Sequence, residues 1–149
     1  LCLDLDASSG ITGIPGSLEE EFGEASLPRR SAGAFSTTPE LLAAVEAGEE
    51  AATSIWKRAV RALGCSIASL INAFDPELVI LGGGVSAAGP VLLEPLRAVL
   101  DEVEWRPRGS GVPIVPARLG AIAGALGAAR RALEGPPPQP AEPSQETLP

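Results

Sequence analysis

Apolar residues recur at intervals of three and four along much of this chain, broken by two short β-branched runs and by glycine. Between positions 49 and 74, Ala52, Ile55, Ala59, Leu63, Ile67, Leu70 and Phe74 share one helical face, which predicts a long amphipathic helix facing a core. Asp75-Pro76 ends it. Thr38-Pro39-Glu40 predicts an earlier helix start, with Thr38 as cap, running to about Ala47 and stopping at Gly48. Ser17 followed by Glu20 has capping-box spacing and predicts a short helix after a Ser/Gly/Pro-rich loop over 7–16. Residues 23–37 read as irregular.

The second half alternates differently. Glu77 to Leu81 is short, apolar and β-branched, which predicts a buried strand of the parallel kind. Gly82-Gly83-Gly84 makes a tight turn, and Val85 to Gly89 leads into a helix from about Pro90 to Val103. Residues 105–111 read as a loop, Val112 to Val115 as a strand, and Gly120 to Leu133 as a last helix. The small face of that helix, Ala123, Gly124, Gly127 and Ala128, predicts close packing on a sheet. Leu1 to Asp6 alternates and predicts a half-buried strand. The order helix, strand, turn, helix, strand, helix predicts an α/β layer with a mostly parallel sheet and packed helices.

Composition narrows the function classes. A net charge of −8, from 11 basic and 19 acidic residues, excludes a free-standing nucleic-acid binder, because phosphate neutralisation needs clustered Lys and Arg. The absence of histidine removes the commonest metal ligand and general base, and two cysteines make neither a disulfide framework nor a zinc site. No apolar run approaches a membrane span, and nothing resembles a signal peptide, so a cytoplasmic, reducing setting is expected. The first residue is Leu1 rather than methionine, so the chain is expected to begin inside a longer gene product or after processing. From Gly135 to Pro149 the composition turns to Pro, Gln, Glu and Ser, the signature of a disordered tail.

The sharpest chemical feature is the triple glycine after an apolar strand. Ligands of open parallel sheets bind at the carboxyl ends of strands, where glycines let backbone approach a base, ribose or phosphate. A following helix N-terminus favours an anion. No Gly-Lys-Ser follows, so this is not a Walker A loop. Read alone, the bend is equally a plain strand-to-helix turn. Other candidates have plain readings beside the chemical ones. Asp4 and Asp6 are a magnesium pair or a surface strand. Arg118 is a phosphate contact or an ion-pair member. Trp56, Trp105 and Cys65 are expected to be packing residues.

Two long segments carry a resemblance. Residues 64–85, GCSIASLINAFDPELVILGGGV, and residues 114–129, IVPARLGAIAGALGAA, resemble in order and spacing the stretches that ROK proteins carry. ROK proteins are sugar kinases and sugar-responsive repressors. The resemblance implies the C-terminal lobe of an actin-like ATPase (ribonuclease H-like) fold. It divides the chain into a degenerate N-terminal segment over 1–37, an α/β lobe over 38–134 and the tail over 135–149. It also implies a nucleotide-side lobe of a kinase that phosphorylates a hexose or N-acetylhexosamine with ATP and Mg, Gly82, Gly83, Gly84 and Val85 lying on the adenosine side. The family's phosphate loop and catalytic Asp have no counterpart here, so no catalytic residue is assigned and no independent turnover is expected. The alternative is the effector domain of a repressor without its helix-turn-helix.

A weaker match concerns the family's Cys-x-Cys-Gly-x-x-Gly-Cys-x-Glu stretch. Gly13 and Gly16 fit it, but Gly10, Thr12 and Ser17 stand where the cysteines would be. No zinc is therefore expected. Glu19 falls on the motif's sugar-contacting glutamate; its plainer reading is a helix-start carboxylate. Sugar and nucleotide are the implied ligands. A homodimer or a missing N-terminal lobe is the implied protein partner, because half of a two-lobe fold leaves apolar surface bare.

Overall fold

The computed structural model describes residues 13–107 and 109–135. The strand expected over 1–6, the Asp4/Asp6 pair, Gly10, Thr12 and nearly all of the expected tail lie outside the described residues.

Two short helices come first, α1 (Leu18–Phe22) and α2 (Leu27–Arg30), joined by a 3-10 turn over Glu24–Ser26. The stretch expected to be irregular is thus partly helical. Ser17 does sit at the N-cap of α1, but its side chain makes no capping bond. Glu20 does not close a capping box; it is buried and pairs with Arg29.

Helix α3 (Thr38–Glu46) is capped by Thr37, one residue earlier than the sequence suggests. The reason is spacing. Glu40 stands three residues after Thr37, so its carboxylate accepts from Thr37 N at 3.2 Å while Thr37 Oγ1 accepts from Glu40 N at 3.4 Å. That leaves Thr38 N free to donate elsewhere, and it donates to Glu24 Oε2 at 2.9 Å.

Helix α4 (Glu50–Phe74) is the spine, 25 residues long, and packs against α1, α3 and α5. Its inward face holds Ala52, Trp56, Ala59, Val60, Ile67, Ala68 and Ile71. The expected face was rotated at its end. Leu70 is exposed, and Phe74 is 75% exposed, so neither is core. Asp75 then turns left-handed (φ 45°), a conformation Asp tolerates, and Pro76 prevents continuation. Trp56 packs as expected and donates its indole N–H to Val91 O at 3.0 Å. Cys65 is free and half-buried.

Strand β1 (Val79–Leu81) leads through the glycines to helix α5 (Pro90–Val103), then to strand β2 (Ile114–Pro116). The two strands pair in parallel, Val79 with Ile114, Ile80 with Val115 and Leu81 with Pro116. Val79 and Leu81 pack against the helical core, which includes Ile114. The other face is bare: Ile80 is 61% exposed and Val115 is exposed beside it. β1 is therefore not the doubly buried strand its composition suggests.

Helix α6 (Ala123–Glu134), entered by a 3-10 turn over Gly120–Ile122, buries none of its residues. Its small face does not pack on the sheet, and Leu126 and Leu133 stand exposed. Trp105, expected to pack, is 71% exposed. Among the described residues no helix is long and apolar enough to cross a membrane.

Candidate functional site at the glycine turn

The carboxyl ends of the two strands are tied together before the turn begins. Ala117 N donates to Leu81 O at 2.7 Å, the last bond of the ladder. The chain then passes through Gly82, Gly83 and Gly84, all exposed, and enters a 3-10 segment over Gly84–Ala88. Helix α5 starts only at Pro90, so its N-terminus lies beyond that segment rather than at the triple glycine.

The three glycines have different reasons to be glycine. Gly83 holds φ 88° and ψ 177°, a region open essentially to glycine alone. Its carbonyl accepts from Ser86 Oγ at 2.6 Å, which fixes the bend. A Cβ on Gly82 would make an ordinary contact, 3.8 Å from Ala117 Cβ. A Cβ on Gly84 would meet nothing within 4 Å, and its φ is unexceptional. Neither backbone conformation nor packing requires glycine at Gly84. Val85 follows it inside the 3-10 segment, with its side chain outside what the structure describes.

The space beside Gly84 is a cavity of about 440 Å³. Gly84, Ala87 and Ala88 form one wall; Pro39 and Leu42 of α3 contribute apolar surface, and Glu24 and Thr38 the polar groups. The volume falls in the usual range of small-ligand sites, and a mostly apolar slot with few polar groups is their usual character. The backbone N–H and side chain of Thr38 both hydrogen-bond the Glu24 carboxylate, and they hold its pKa below the ordinary value.

A larger cavity of about 610 Å³ opens at the other end of the strands, beside Glu77, Trp105 and Pro113. Its rim is shaped by Glu104, which accepts from Val112 N at 2.7 Å and from Arg106 Nε at 2.9 Å. In parallel sheets ligands sit at carboxyl ends, so the smaller cavity at the glycine turn is the candidate site.

The structure does not bring Glu19 to that cavity. Glu19 is exposed in the first turn of α1 and lies over Gly23, where a Cβ would overlap its carboxylate. Arg118 is exposed just after Ala117, whose N–H bonds Leu81 O before the turn, but it does not line the cavity either. Among the described residues no group of three or more acidic or thiol side chains is placed to hold a metal. Glu24, Leu42, Ala87 and Ala88 escaped the sequence reading. Nothing local marks them, since they meet only when α3 docks against the segment after β1.

A helix-rich lobe with parallel strands and a glycine bend at their carboxyl rim is an α/β lobe of the actin-like ATPase fold. The ROK family model matches residues 3–134, and the chain belongs to the ROK family. The glucokinase of Thermotoga maritima is 37% identical over 129 residues, covering 84% of this chain and 41% of that protein. The structure of a ROK hexokinase from Thermus thermophilus superposes with a TM-score of 0.70 at 36% identity, covering 90% of this chain and 47% of that one. A ROK family glucokinase from Streptomyces griseus, solved in complex with glucose and AMPPNP, superposes with a TM-score of 0.73 at 27% identity, covering 91% of this chain and 50% of that one. The chain thus spans half or less of the length of these relatives.

Proposed function

We propose that this chain is the nucleotide-side lobe of a ROK sugar kinase, with the adenosine end of ATP held at the glycine turn. The supporting observation is Gly84. It is a glycine that the fold does not need, it lines a cavity of about 440 Å³, and open space stands where its Cβ would be. We assign a flat base to the space between the Gly84–Ala88 wall and the Pro39–Leu42 wall, where bare backbone at Gly82 and Gly83 permits close approach. The Streptomyces relative, which binds glucose and AMPPNP, makes ATP the expected nucleotide.

The reaction assigned to the whole kinase is phosphoryl transfer from ATP, with Mg, to a hexose or N-acetylhexosamine. Such transfer depends on positioning and electrostatics around the phosphates and on a base for the acceptor hydroxyl. The residues here supply the nucleoside end. We assign the phosphate cradle and the base to the part of the family fold outside the match, and Glu19 to the sugar, by its motif position. The bare face of Ile80 and Val115 is assigned to contact with that remaining part. A cytoplasmic setting follows from the same reading. The repressor alternative is disfavoured, because a glucokinase and ROK kinase structures match most of the chain.

Calorimetric titration with ADP tests the nucleotide site. The expected result is a single site on the wild type, and its loss in Gly84→Leu with thermal stability unchanged. Absence of heat from the wild type at millimolar ADP, or equal binding by Gly84→Leu, overturns the assignment.

A further inference from the structure

We propose that Glu24 is a specificity-determining residue of this site, reading hydrogen-bond donors of the nucleoside: a ribose hydroxyl or the exocyclic amine of the base. The inference rests on the nucleotide reading above. Three features carry it. Among the described residues, Glu24 is the one charged residue lining a mostly apolar slot bounded by Gly84, Ala87, Ala88, Pro39 and Leu42, with Thr38 beside it. Its carboxylate is not free to wander, because Thr38 N donates to Oε2 at 2.9 Å from the start of α3. A carboxylate accepts at about four lone-pair positions, so acceptor capacity remains for a ligand.

The sign of the charge then sorts the ligand's ends. A fixed carboxylate repels phosphate, so the phosphates point away from Glu24 and out of the slot. It attracts N–H and O–H donors, and on a nucleoside diphosphate those are the ribose hydroxyls and the base amine. Glu24 is remote in sequence from the glycine turn, and hydrogen bonds from Thr38 tie its 3-10 turn to α3. Reading the ligand and placing one cavity wall are thus coupled in one side chain.

The test compares ADP, 2′-deoxy-ADP and inosine diphosphate on wild type, Glu24→Ala and Glu24→Gln, using the whole chain. Glu24→Ala is expected to weaken ADP about tenfold, the usual scale for one charge-assisted hydrogen bond partly open to solvent. If Glu24 reads the ribose, the wild-type preference for ADP over 2′-deoxy-ADP disappears in Glu24→Ala; if it reads the amine, the preference over inosine diphosphate disappears. Glu24→Gln preserves shape and is expected to retain part of the lost preference. Should Glu24→Ala weaken all three ligands by one common factor, the residue is structural and the proposal fails. Unchanged affinities for all three also overturn it while leaving the nucleotide site standing. A wild type that binds no ADP sinks the nucleotide reading itself.

Discussion

The helical side of this lobe and its strand side are built to different degrees of completion. On the helical side α3, α4 and α5 enclose a continuous core in which Leu41, Val60, Leu92 and Leu96 are almost wholly shielded. Gly64 lets α5 come close enough for Val99 to sit where a Cβ would be, and Trp56 ties α4 to Val91. On the strand side the sheet has two strands among the described residues, its outer face shows Ile80 and Val115, and α6 buries nothing. Apolar residues are present on both sides. What differs is whether a second layer exists to cover them. A domain needs packed layers around its core, and among the described residues the outer face of the strands stays exposed.

The largest expected effect separates the two sides directly. Leu96→Ala removes a side chain with 0% exposure and is expected to cost about 2–5 kcal/mol, the range for buried Leu truncations. Ile80→Ala is expected to stay within about 0.5 kcal/mol, as exposed positions do. Urea unfolding followed by circular dichroism measures both. A large loss at Ile80 would show the sheet face to be covered, for instance by self-association, and would break the comparison.

Next comes the close approach of α4 and α5. Gly64→Ala gains about 1 kcal/mol of helix propensity but forces a methyl against Val99, where overpacking costs about 1–3 kcal/mol. Its Cβ would lie 2.5 Å from Val99 Cγ1, and Val99 is β-branched and cannot swing aside cheaply. Net destabilisation is expected. In a Val99→Ala background the same substitution is expected to become neutral or stabilising, a coupling that a double-mutant cycle isolates.

Legibility in the sequence divides along the same line. Helix α4, the parallel strands and the glycine bend were readable because each is written in local periodicity or in residues that only a turn requires. The outward faces were not. Phe74, Ile80, Trp105 and Leu126 have the composition of core residues, and composition cannot report that they stand exposed. The site was half readable for a similar reason. Gly82, Gly83 and Gly84 announce themselves, whereas Glu24 and Leu42 become site residues only through the docking of α3.

Within the turn a smaller contrast sharpens the point. Gly83→Ala is expected to cost about 1–3 kcal/mol, because its backbone lies where a Cβ is strained. Gly84→Ala is expected to stay within about 0.5 kcal/mol, its Cβ meeting open space. If both cost the same, the fold and not a ligand accounts for Gly84.

The smallest expected effect concerns the joint between the 3-10 turn at Glu24 and α3. Hydrogen bonds from Thr38 hold the Glu24 pKa below its ordinary value of 4.5, with burial opposing weakly. A carboxylate with a lowered folded pKa contributes its stability in full at pH well above 4.5 and loses it as the pH falls through the folded value. Glu24→Gln removes that titration while keeping the side chain's shape. The melting temperature of wild type is therefore expected to exceed that of Glu24→Gln by a small, constant margin near neutrality. The margin is expected to narrow below pH 4.5 and to vanish in stronger acid. A margin that widens in acid would mean that the folded carboxyl prefers its proton, and the bond to Thr38 N would then not be what sets α3 against the glycine turn.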